Sequence, residues 1–123
     1  MSFDYKQVYA LVREVPRGEV ASYGMIASLL PGVTARMVGR ALAHLSDGTR
    51  TPWQRIVNSS GAIAERPGAG EQRKRLVKEG APFRKNGNVD IKRCLWRGPS
   101  QKWIDRNGRD PLEVMEITAG WGR

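Results

Sequence analysis

A chain of 123 residues carrying 21 Lys and Arg against 12 Asp and Glu, a net charge of +9, has the electrostatic footprint of a polyanion binder and the length of one domain that buries its own core without staples. One cysteine, Cys94, excludes an internal disulfide framework, and one histidine, His44, leaves no cluster with metal-ligand spacing, so neither a structural metal nor a cofactor is expected. No signal-like apolar segment and no run of 18 apolar residues is found, which predicts a cytoplasmic, reducing compartment and no membrane partner.

In chain order, Val8, Leu11, Val12 and Val15 fall at i, i+3, i+4 and i+7, which predicts an amphipathic helix capped by Ser2 and closed at Pro16-Arg17-Gly18. A second helix is expected from its N-cap Ser22 through Met25, Ile26, Leu29 and Leu30 to a stop at Pro31-Gly32. A third starts at Thr34 and buries Val38, Ala41, Leu42 and Leu45, so that the second and third helices make a helix-turn-helix. Past the Asp47-Gly48 turn and the Pro52 loop, Arg55 to Asn58 and Ala62 to Ala64 read as a hairpin around Ser59-Ser60-Gly61. Residues 70 to 79 form a fourth helix with Gly80 at C′. The fold class is therefore mainly α: a winged helix with a helix-turn-helix and a small β wing. Beyond the breaker run Arg97-Gly98-Pro99-Ser100, the tail holds Trp103, Ile104, Leu112, Val114, Met115, Ile117 and Trp121, too apolar for disorder. The expected division is a winged-helix domain at residues 1–96 and a C-terminal extension at 97–123 packed on it.

In the third helix Ala35, Gly39 and Ala43 recur every four residues beside Arg36 and Arg40, a stripe nearly without side chains. A minor groove is roughly 6 Å wide and admits a helix only where small residues face it, whereas base readout in the major groove calls for longer side chains. The same stripe suits packing between helices, and periodicity alone favours packing. Gly39 costs about 1 kcal/mol relative to Ala inside a helix, which weighs toward close approach to a backbone.

Three ordered motifs carry a family resemblance. Gly18-Glu19-Val20-Ala21-Ser22-Tyr23-Gly24, Ala35-Arg36-Met37-Val38-Gly39 and Pro52-Trp53-Gln54-Arg55-Ile56-Val57-Asn58-Ser59-Ser60-Gly61 resemble segments of the O6-alkylguanine-DNA alkyltransferases. In that family the patterns are Gly-x-Val-x-Ser-Tyr, the recognition helix Ala-Arg-x-Val-Gly, and Pro-Cys-His-Arg-Val followed by a Ser-Gly turn. Val77-Lys78-Glu79-Gly80 is similar to the family's helix that ends in Glu-Gly, and the spacing from Arg36 to Trp53 equals that from finger arginine to reactive cysteine. The likeness covers about residues 5 to 96. Trp53 stands in place of the alkyl-accepting cysteine and Gln54 in place of the histidine that activates it, and neither an indole nor an amide accepts an alkyl group under ordinary conditions. The chain thus resembles the alkyltransferase-like proteins, which bind alkylated guanine in DNA and repair nothing themselves.

The resemblance implies a non-enzymatic sensor, a monomer that docks in the minor groove of duplex DNA, flips O6-alkylguanine and flags it for nucleotide excision repair proteins. It implies that Tyr23 presses on the 3′ phosphate and that Arg36 fills the gap in the stack, a task suited to a planar cation. Trp53 then walls a lesion pocket with Tyr23, Arg55, Ile56, Ala64, Arg66 and Pro67, while Thr34, Ala35, Arg36, Met37, Gly39, Arg40, Ser59 and Ser60 meet the DNA. Arg66 reads evenly as a cation stacked on the extruded guanine or as a solvated loop arginine. Arg55, whose counterpart in the family is structural, reads better as a partner of Glu79, the carboxylate that orients the histidine in active enzymes, than as a DNA contact. The family's hinge asparagine is missing, with His44 and Leu45 the nearest candidates. Two rival functions stand beside this one: an enzyme working through Cys94 or Glu79, and a winged-helix regulator reading undamaged sequence. The stripe of small residues offers the second few side chains for base readout.

Overall fold

The computed structural model describes residues 3–122. Ser2, the cap expected for the first helix, lies outside them; helix α1 (Tyr5–Val12) is instead capped by Asp4, whose carboxylate accepts from the Lys6 amide at 2.9 Å. The helix also ends earlier than the apolar spacing predicts. The amides of Glu14 and Val15 bond to the carbonyls of Leu11 and Val12, tight i to i−3 bonds that carry Val15 fully into the core on a turn rather than on a helix.

Strand β1 (Ala21–Ser22) leads directly into α2 (Tyr23–Ser28), and α3 (Ala35–Ala43) follows after the Pro31-Gly32 turn. Both helices start on their expected caps. Ser22 Oγ accepts from the Met25 amide at 3.1 Å while Met25 Sδ accepts from the Ser22 amide at 3.3 Å. Thr34 and Met37 repeat the reciprocal pattern, with a thioether where a capping box normally has a carboxylate or amide. Leu29 and Leu30 lie just past the end of α2 and are buried; Val38, Ala41 and Leu42 are buried on α3, with Leu45 half-buried beyond it. These side chains close over Leu11 and Val8 of α1 to form the main core.

The expected wing hairpin at residues 55 to 64 is reduced to its turn: the Asn58 amide bonds to the Ala62 carbonyl at 3.0 Å, but no returning strand forms. After a single 3₁₀ turn (Trp53–Arg55), strand β2 (Ile56–Val57) pairs in parallel with β1, Ala21 opposite Ile56 and Ser22 opposite Val57. The Ile56 carbonyl accepts instead from Gln72 Nε2 of helix α4 (Ala69–Lys78) at 2.9 Å, so a buried side chain takes a place that a returning strand would need. Ser59-Ser60-Gly61 is a turn closed by the Gly61 amide on the Asn58 carbonyl at 2.8 Å, and residues 62–64 are not a strand. Gly61 has φ +85° and presses on the backbone of Val89, where any side chain would collide with the Val89 carbonyl. The hairpin of this fold lies at residues 83–89. Phe83 bridges antiparallel to Val89, the Arg84 amide bonds to the Asn88 carbonyl at 2.8 Å, and Arg73 of α4 braces the turn through the Gly87 carbonyl at 2.7 Å and the Phe83 ring. A wing is therefore present, at Asn86-Gly87 rather than at Ser60-Gly61.

A smaller core of Val20, Val57, Leu76, Ala81, Val89 and Cys94 lies under this hairpin and the short helix α5 (Ile91–Cys94). In the tail, α6 (Gln101–Arg106) and α7 (Pro111–Ala119) bring Trp103, Ile104 and Val114 into the main core. Trp121 stacks on Trp96 with ring centroids 5.4 Å apart and donates to Ser28 Oγ, and the Arg109 guanidinium donates to the Leu29 carbonyl. Leu112 and Met115 of α7 remain exposed. The architecture is a mainly α helix-turn-helix domain with a small wing.

Candidate nucleic-acid interface

Helix α3 turns its small stripe outward. Ala35 and Ala43 are exposed, and Gly39 lies against the Tyr23 ring at the start of α2, so the middle of the stripe packs on a helix while its two ends are open. The space in front is a groove of about 760 Å³ bordered by Tyr23, Arg36, Gly39, Ser59, Ser60 and Arg66, with Ala64 also lining it. Arg36 is exposed in the first turn of α3, a position the helix dipole disfavours for a cation, and Arg40 is exposed one turn later. Thr34 and Met37 sit at the same end, with the Met37 thioether turned back onto the Thr34 amide as a cap.

A second cleft, of about 740 Å³, opens beside Trp53 and is lined by Leu45, Trp53, Arg66, Pro67, Glu71 and Arg75, among others. Arg66 borders both spaces, so groove and cleft meet at that side chain. Trp53 is half-buried on its 3₁₀ turn with the Arg75 guanidinium 5.3 Å from the indole centre, a cation–π contact. Arg75 is also paired with Glu71 at 2.9 Å, whose carboxyl is held below its usual range first by that hydrogen bond. Sequence reasoning missed Arg75. The i, i+4 pairing with Glu71 is visible in the sequence, but its contact with a tryptophan 22 positions away is purely tertiary.

Two expected pocket residues lie elsewhere. Ile56 is fully buried in the main core, because strand pairing with Ala21 fixes which way its side chain points. Arg55 is tied into the scaffold: Nε and Nη2 donate to the two Glu79 carboxylate oxygens at 3.0 Å each, and Nη1 donates to the Val15 carbonyl at 2.8 Å. Gln54 Nε2 adds a third bond to Glu79, at 2.8 Å. Burial by itself would raise the Glu79 pKa; the hydrogen bonds from Arg55 and Gln54 and the Arg55 charge outweigh it and hold the carboxyl below its usual value. The pair clamps the end of α4 to the Trp53 turn and to the loop after α1. His44 is the C-cap of α3, its Nδ1 2.8 Å from the Arg40 carbonyl.

Comparison with known proteins gives the family. The family described as 6-O-methylguanine DNA methyltransferase, DNA binding domain, matches residues 4–81. Alkyltransferase-like protein 1 of Schizosaccharomyces pombe is 47% identical over 81 residues, which cover 62% of this chain and 74% of that protein. The DNA base-flipping protein of Escherichia coli is 36% identical over 93 residues, 74% of this chain and 72% of its own length. Among solved structures, S. pombe Atl1 in complex with damaged DNA containing O6-carboxymethylguanine superposes with a TM-score of 0.70 at 36% identity, covering 78% of this chain and 98% of that one. The chain belongs to the alkyltransferase-like branch of the 6-O-methylguanine DNA methyltransferase DNA-binding-domain family.

Proposed function

We propose that this protein is a lesion-binding protein of duplex DNA, which seats α3 in the minor groove, rotates O6-alkylguanine out of the stack and holds it against Trp53 with the alkyl group intact. The observation that carries this reading is the junction at Arg66. A nucleotide leaving the groove between Tyr23 and Arg36 passes directly into the cleft walled by Trp53. Flipping costs a few kcal/mol of stacking and pairing, less for a damaged pair, and the indole and the two guanidinium groups offer stacking surface to offset it. Arg36, free of any ion pair shown for the described residues, takes the vacated place in the stack, and Ser59 and Ser60 reach the phosphates. The protein acts as a cytoplasmic monomer, and the complex, which has no reaction to complete, persists as a mark for nucleotide excision repair. The base-flipping and alkyltransferase-like names of its relatives support the reading.

The chemistry of Cys94 and Glu79 weighs against the enzyme alternative. Burial above all, then Asp90 and Glu19, push the Cys94 thiol up to about 11, and its Sγ donates to the Asp90 carbonyl, so it is no thiolate nucleophile. Cys94 also lines a different cleft, beside Lys92 and Arg93. Glu79 is fixed in an ion pair rather than poised as a base.

Arg36→Ala tests the flipping role. Affinity for a duplex with O6-methylguanine is expected to fall about tenfold or more, because the orphaned base loses its stacking and hydrogen-bonding substitute, while helix content by circular dichroism stays as in wild type. Arg36→Lys should rescue little. Unchanged affinity of Arg36→Ala for the lesion duplex overturns the assignment.

A further inference from the structure

We infer that the 83–89 hairpin and the start of α5 form a second DNA contact, with Arg84 and Lys92 holding backbone phosphates that flank the lesion. The inference rests on the proposed DNA-binding role and concerns residues outside the family match at 4–81.

A further cleft, of about 350 Å³, runs on from the α3 groove. The two share Ser22, Ser59 and Ser60, and the far wall of the new cleft carries Arg84 and Lys92. One trough thus extends from Arg36 across the serine turn to two more cations. The connection is rigid. The Val89 amide donates to the Gly61 carbonyl at 2.9 Å, Gly61 lies against the Val89 backbone, and the Asp90 amide donates to the Pro82 carbonyl at 2.8 Å. With Arg73 bracing the turn, the hairpin cannot swing independently of Ser59 and Ser60.

Charge points the same way. Residues 84–93 carry Arg84, Lys85, Lys92 and Arg93 against one carboxylate, Asp90, which also lines the cleft. The ion pairs of the described residues use Arg55, Arg75 and Arg109, so these four cations remain available to an outside anion. An open trough lined by hydroxyls and spaced cations, continuous with the α3 groove, suits a polyphosphate backbone. Contacts of this kind set register and affinity and carry no sequence or lesion information.

The test is the Arg84→Gln, Lys92→Gln double variant of the full chain, titrated with O6-methylguanine and plain duplexes over a range of salt. Each lost phosphate contact lowers the slope of log K against log salt by about 0.9, so a drop of about 1.8 is expected. Affinity for both duplexes should fall in parallel, leaving the lesion preference intact. A control of equal charge change on α6, Lys102→Gln with Arg106→Gln, should leave the slope near wild type. A double variant with the wild-type slope overturns the inference, as does an equal drop in the α6 control. Failure of the lesion reading looks different: the wild-type protein then shows no preference between the duplexes, whatever the slopes.

Discussion

Glu79→Ala is expected to destabilise the protein by about 3–5 kcal/mol, the cost of leaving a buried guanidinium without its partner. Side-chain exposure is 16% for Arg55 and 7% for Glu79, and both carboxylate oxygens are engaged, so solvent cannot substitute for the lost acceptor. The interaction joins three segments at once: the loop after α1 through Val15, the Trp53 turn through Gln54 and Arg55, and the end of α4 through Glu79 itself. Chemical denaturation at neutral pH measures the loss directly, and a near-neutral variant contradicts it. The same clamp makes stability depend on pH. The folded-state pKa of Glu79 lies below the ordinary value of 4.5, so its contribution is fully present above that value and fades as pH falls through the folded one. Glu79→Gln should therefore weaken the fold at neutral pH yet show a shallower loss of stability on acidification.

Trp53→Ala should remove most of the preference for alkylated over plain duplex while leaving plain-duplex affinity close to wild type. Stacking of a base on an aromatic side chain is worth about 1–3 kcal/mol, which corresponds to a loss of roughly fivefold to 150-fold in lesion affinity. In the proposed mode plain DNA is held through Arg36, Ser59 and Ser60 of the groove, none of which lines the Trp53 cleft. The distinction is measured by titrating both duplexes with both proteins. An equal loss on both duplexes would mean that Trp53 supports the fold rather than the pocket.

The parts of this molecule that were legible in its sequence are those fixed within one or two turns. Ser22 and Thr34 cap their helices as expected because a hydroxyl reaching the third amide onward is a local interaction, and the burial of Val38, Ala41 and Leu42 follows from helical period alone. The wing was misplaced for a tertiary reason. Ile56-Val57 looks like the first arm of a hairpin, yet its partner is β1, 35 residues earlier, and Gln72 takes its free carbonyl. The cue for the real hairpin, Asn86-Gly87, is the commonest short turn signal and stood in plain view. Ile56 lies outside the pocket because adjacency to Trp53 in sequence does not survive a 3₁₀ turn followed by a strand, whereas the pairing of Arg55 with Glu79 agrees with the expectation from the sequence. Arg75 went unseen because only folding brings α4 over the indole.

As proposed, the protein reads an O6-alkyl group without removing it. The most direct measurement compares binding to one duplex with guanine or O6-methylguanine at a single position, at fixed salt, with the methyl group isotopically labelled and its position followed after long incubation. The expected result is clear preference for the methylated duplex with all label still on the DNA. Equal affinity for the two duplexes, or label transferred to protein or solvent, contradicts it.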